Sequence, residues 1–235
     1  MGMGKRGPKP RISEEAIMKV AATIVASEGL SSLSMSAIAR ALDSAVSGLY
    51  RYFDGLEAVY VQLQVKAIMT YTEQFALAEK RISARLEGAG IPSKRVQALV
   101  RVIAVFQMYL KMVDSHPVEQ AVIDAFISVP AATLTDENAT RMNEELQSVF
   151  AVCIDSLDKA VVAKAISAGD NRQRTQVFWA GLHGLQQFRK RDRILPKALR
   201  VESTESILIR SLLVGFGAKH VDVESAFEYL TKERD

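Results

Sequence analysis

The twenty residues from Ser34 to Phe53 limit this chain more than any other stretch. Ile38, Ala39 and Leu42 give a first short helix an apolar face, and Leu49 and Phe53 give a second one its own at i, i+4. Asp43, Ser44 and Ala45 between them read as a turn, since Asp tolerates left-handed and Asx-type conformations. Two helices at this spacing make a helix-turn-helix, whose second helix enters the DNA major groove. Val46, Ser47, Gly48 and Arg51 are left to face outward, with Tyr50 and Tyr52 at the edges. Small side chains at the start of this helix, from Ala45 on, permit close approach to base edges. Arg51 has the reach for a guanine or a phosphate, and the tyrosine hydroxyls suit phosphate.

The flanks fit the same reading. Ser13 caps a preceding helix with Glu14 and Glu15 in its first turn, Ile17, Val20, Ala21 and Ile24 form its apolar stripe, and Gly29 ends it. This helix is expected to pack across the next two as a three-helix core. Ser34 caps the second helix, and its hydroxyl and that of Ser36 lie where a DNA backbone would pass. Asp54 and Glu57 read as a capping box opening a long fourth helix. Residues 1–11 are rich in Gly, Pro and cations (Lys5, Arg6, Lys9 and Arg11) and are read as a flexible basic arm that lies in the minor groove.

Beyond residue 56, periodic helical segments alternate with sparse Gly and Pro, and strand-like alternation is nearly absent. The expected breaks are Gly88 to Pro92, His116-Pro117, Pro130, Gly169-Asp170 and Pro196. With 49% hydrophobic residues in 235, a sizeable core is available. The expectation is all-α. Residues 1–11 are the arm, 12–55 the DNA-binding domain, and 56–235 a larger helical ligand-binding and dimerisation domain.

Charge settles little, because the net value is only +3. Cys153 is the only cysteine, so no internal disulfide forms and a reducing cytoplasm is expected. No run of about 18 apolar residues stands out, so neither a membrane span nor a membrane partner is expected. Three histidines and one cysteine are scattered without metal-ligand spacing. No Gly-rich phosphate loop and no convergent nucleophile and base are visible. No catalytic residue, metal or cofactor is therefore assigned, and the chain is not read as an enzyme.

In order and spacing, the first 60 or so residues resemble the TetR family of transcriptional regulators. The resemblance rests on Glu28-Gly29-Leu30, then Ser34 to Ala39, then Leu49 to Phe53, then Glu57-Ala58-Val59. Trp179 followed by His183-Gly184 resembles one C-terminal subgroup. The family usually has Gly where Asp43 stands, Val-Ser where Ser44-Ala45 stand, and often a phosphate-holding Lys where Leu56 stands. The resemblance implies a homodimer in which helix 8, expected from about Arg172 to Arg191, and helix 9, expected from about Ser203 to Gly215, pack on their symmetry mates. Ala180, Gly181 and Gly184 in helix 8 would let another backbone come close. Helix 9 is apolar nearly all round (Ile207, Leu208, Ile209, Leu212, Leu213, Val214), which suits an interface. It also implies an effector cavity among helices 4 to 8 (helix 5 expected from about Ser93 to Val113, helix 6 to about Val129, helix 7 from Thr135 to Gly169-Asp170), with Phe106, Tyr109, Met112, Phe126, Phe150, Cys153, Phe178, Trp179 and His183 as candidate lining, suited to an apolar small molecule. The function expected is a repressor released from a palindromic operator in double-stranded DNA by such a molecule. The alternative is a helical small-molecule-binding protein without sequence-specific DNA binding.

Overall fold

A computed structural model describes residues 12–88, 93–128 and 135–232. Among these there are ten α-helices and no strand: α1 Glu14–Glu28, α2 Met35–Ala41, α3 Val46–Leu49, α4 Leu56–Gly88, α5 Lys94–Ser115, α6 Pro117–Ser128, α7 Asp136–Val162, α8 Asn171–Phe188, α9 Val201–Gly215 and α10 His220–Lys232. The chain forms two compact units. The first takes the chain up to Thr70 together with Ser115–Leu146, and the second takes Tyr71–Asp114 with Gln147–Asp235. Helices α4 and α7 therefore contribute residues to both.

In the first unit the caps form where side-chain chemistry puts them. Ser13 Oγ accepts from Ala16 N at 3.1 Å, and Ser34 Oγ accepts from Ala37 N at 3.0 Å. Gly29 ends α1 at φ 84°. Ile17, Ile38 and Leu49 are wholly buried, each stabilising the fold by about 1.5–3 kcal/mol relative to exposure. Helix α1 packs on α2, α2 packs on α3, and α1 lies most extensively against α6. That last contact was not expected from the sequence, because it joins segments about a hundred residues apart. The capping box read at Asp54 and Glu57 is redirected. Glu57 Oε1 instead accepts from Thr135 N at 2.8 Å and Asn138 Nδ2 at 2.7 Å, so the first turn of α4 is tied to the start of α7.

In the second unit α5 is the core helix, with Leu99, Ile103 and Met112 wholly buried. Among the described residues it is also the one helix long and apolar enough to cross a membrane, with a mean hydropathy of 1.5 over its best 18 residues. Burial of 67% of that window accounts for its composition by packing. Arg95 Nε donates to Asp222 Oδ2 at 2.8 Å, joining α5 to α10. Helix α7 stops at Val162 rather than at Gly169-Asp170. Ala165 N bonds Ala160 O and Lys164 N bonds Val161 O, with Lys164 left-handed at φ 56°. This is a Schellman ending in which Lys takes the place usually held by Gly. Asp170 instead caps α8, accepting from Arg172 N and Gln173 N.

Candidate nucleic-acid interface and ligand-site residues

The turn between α2 and α3 follows from its hydrogen bonds. Ser44 N reaches Ala39 O at 2.9 Å and Asp43 N reaches Arg40 O at 3.2 Å, with Asp43 at φ 48°. This too is a Schellman closure, and it puts Asp43 in the left-handed region that its residue type tolerates. Leu49 and Phe53 then point into the core, 0% and 7% exposed. The opposite side is open: Ser36, Ala45, Ser47, Tyr50, Arg51 and Tyr52 are exposed, and Ser34, Val46 and Gly48 are half-buried.

An open concavity of about 960 Å³ lies on this side, bordered by α2, the turn and α3. Arg40 and Arg51 both line it, with Asp43 between them in sequence. Arg40 was missed in the sequence reading. Its signal was a cation at the last exposed position of α2, beside the turn.

Two positions behave differently from the sequence reading. The Tyr52 hydroxyl donates to the Ile12 carbonyl at 2.8 Å, so its single proton is engaged within the chain. Gly48 has its bare side against Ile12: an added Cβ would sit 3.2 Å from Ile12 Cδ1. Both contacts hold residue 12 against the second helix of the motif. Lys5, Arg6, Lys9 and Arg11 lie outside the described residues.

The candidate effector residues of the second unit come together as a packed aromatic cluster. Phe106 stacks on Phe178 with centroids 4.0 Å apart, and both are buried. Phe150 meets Trp179 edge-on at 5.4 Å, and Trp179 lies 6.0 Å from His183. The Tyr109 hydroxyl and His183 Nδ1 are hydrogen-bonded at 2.7 Å. Met112 and Cys153 are buried as well, and burial pushes the Cys153 thiol up to about 12. The side chain of Phe126 lies outside the described residues. The second unit also carries a partly open concavity of about 510 Å³, bordered by α5 and the start of α9 and including Lys111, Asp114, Arg189 and Glu202.

The residues read as an interface divide. Ala180 is exposed, and a Cβ on Gly184 would meet open space. Gly181 serves the chain itself: a Cβ there would sit 2.9 Å from Leu208 Cδ2, so its missing side chain admits α9 onto α8. Ile209 and Leu213 are wholly buried in their own chain and cannot face a partner, while Leu212 is half-buried. The apolar residues left outside are Ile207 and Val214 on α9 and Val177 and Phe188 on α8. Helix periodicity explains the exchange, since 207 and 214 share a face that 209 and 213 do not.

Residues 17–63 match the family profile described as bacterial regulatory proteins, tetR family. No curated protein sequence matches the chain. Solved structures share its fold. The fatty acid degradation regulator FadR from Bacillus halodurans is 19% identical, with a TM-score of 0.59 over 92% of this chain and 100% of its own. A protein from Rhodococcus sp. RHA1 has a TM-score of 0.63 at 17% identity, over 87% of this chain and 94% of its own. The transcriptional regulator FadR from Bacillus subtilis, in complex with stearoyl-CoA, has a TM-score of 0.55 at 15% identity, over 86% and 99%.

Proposed function

We propose that this chain, whose residues 17–63 match the tetR family of bacterial regulatory proteins, is a homodimeric repressor that leaves a palindromic operator when an apolar small molecule binds. The observation that carries this reading is the exposed side of the helix-turn-helix. There Ser47, Tyr50 and Arg51 stand clear of the core, and Arg40 adds a second cation beside the turn. The arm at residues 1–11 supplies further cations to the DNA backbone, the head occupies residues 12–55, and the remainder binds effector and partner. Ser34 and Ser36 are assigned to the backbone, and Ala45, Val46 and Gly48 to the protein surface that meets the groove. Tyr52 is assigned to holding residue 12 rather than to phosphate.

The effector is read as a molecule with a long apolar chain. The apolar aromatic cluster of the second unit supports this, as does the stearoyl-CoA held by the Bacillus subtilis protein. A ligand that prefers one head spacing over another weakens DNA binding by its differential affinity for the two states. Two recognition helices must sit roughly 34–36 Å apart to read one face of the duplex.

Selection of bound fragments from the source genome tests the reading, followed by a salt series on the selected site. One preferred palindrome is expected, with affinity falling steeply as salt rises. Weak binding that is blind to sequence would overturn the regulator in favour of a ligand-binding protein without an operator.

A further inference from the structure

Tyr60 and Gln64 stand one turn apart on the same face of α4, within the first unit. They are 4% and 0% exposed. The Tyr60 hydroxyl and both polar atoms of the Gln64 amide are shielded from solvent, and among the described residues none has a hydrogen-bond partner outside the pair. Ala67 and Ile68, on the next turn, are buried too, so apolar surface flanks the pair. A leucine or methionine would fill such a position without desolvating an amide. Shielding polar atoms without partners costs free energy, and an occupant that hydrogen-bonds to them recovers it.

We propose that Tyr60 and Gln64 are the polar anchor of a ligand site in the first unit, taking a neutral group that both donates and accepts hydrogen bonds, such as a carboxamide, at the end of an apolar body. The chemistry of the anchor sets the class. An amide side chain pairs with a ligand amide through two antiparallel N–H···O bonds, and the hydroxyl adds a third donor or acceptor. Burial pushes the Tyr60 hydroxyl pKa up, against a smaller lowering by hydrogen bonding with the Gln64 side chain, so the hydroxyl keeps its proton. Tyr60 and Gln64 are both neutral, so neither offers an ion a countercharge for its lost hydration. The anchor belongs to the first unit and the aromatic cluster to the second. Its regulatory meaning rests on the proposed function, whereas its binding does not.

The full chain, Gln64→Leu and Tyr60→Phe are titrated calorimetrically with dodecanamide and with dodecyl methyl ether. The unsubstituted protein is expected to bind the amide at least about tenfold tighter than the ether, the worth of one to two net hydrogen bonds. Gln64→Leu abolishes that preference and Tyr60→Phe reduces it, while both keep the helical spectrum and melting temperature. Tyr60→Phe, which removes one oxygen, carries the test if Gln64→Leu does not fold. The proposal falls if the amide is bound no tighter than the ether, or if the preference survives in Gln64→Leu. Either result leaves trapped water as the partner of these atoms. Operator release is read separately. An amide bound through Gln64 that leaves DNA affinity unchanged upholds the anchor and overturns the effector reading. Equal release from the unsubstituted protein and Gln64→Leu does the reverse.

Discussion

Asp43 holds a left-handed backbone at φ 48° where the helix-turn-helix closes, and it puts a carboxylate on a surface that also presents Arg40 and Arg51. The first property constrains the residue type. A side chain in this region costs roughly 1–2 kcal/mol, less for Asp and Asn, whose short polar groups hydrogen-bond locally. The second opposes a polyanion. Asp43→Asn separates the two, because Asn takes the same conformation without the charge. The variant is expected to fold with unchanged stability and to bind operator a few-fold more tightly at low salt. The gain should shrink as ionic strength rises and the Debye length falls below about 10 Å. Fluorescence anisotropy across a salt series measures both. Unchanged affinity at low salt would mean that Asp43 stands away from the phosphates.

At the scale of elements, the tie between α4 and α7 depends on ionisation. The backbone N–H of Thr135 chiefly, then the Asn138 and Thr135 side chains, hold the Glu57 carboxyl below its ordinary value of 4.5. A carboxyl lowered on folding stabilises the folded state above its unfolded pKa and loses that contribution as pH falls through the lowered one. Glu57→Ala is therefore expected to melt a few degrees lower than the parent at neutral pH, and the gap should close below about pH 4.5. Thermal melts from neutral to acid pH check this, and a gap independent of pH would remove the carboxylate from the account. This tie also shows what a sequence can disclose. Ser13, Ser34, Leu49 and Phe53 declare α1, α2 and α3 through caps and periods that act within a few residues. Glu57 offered a local partner at Asp54 and took a distant one, and local spacing cannot rank the two. The end of α7 was hidden for another reason: Lys164 carries no signal for a left-handed turn. Helix α9 is apolar nearly all round, so its period could not say that Ile209 and Leu213 face inward while Ile207 and Val214 face out. In the candidate site, the outward side of α3 was legible. The contact of Gly48 with Ile12 was not, because nothing in a lone glycine says which neighbour needs the space.

At the scale of the whole molecule, the proposed dimer has to bury what the chain leaves uncovered. Ile207 is 60% exposed, Phe188 54%, Val177 48% and Val214 41%. These four are on α8 and α9, which pack on each other within the chain. A second copy can use the surface left open: Ala180 is exposed and Gly184 has free space beside it. A stable interface of about 1,600 Å² needs a central apolar patch with well-packed anchors, and Ile207 is the most exposed apolar residue on α9. Ile207→Arg places a charge there without touching the core formed by Ile209 and Leu213. It is expected to leave helix content and unit packing intact while weakening self-association on the order of 100-fold. Sedimentation equilibrium measures the association, and operator binding should fall with it, since a palindrome rewards two heads held together. A variant that stays dimeric at micromolar concentration would move the interface off this face. Loss of the dimer with full operator affinity would instead break the link between symmetry and DNA recognition.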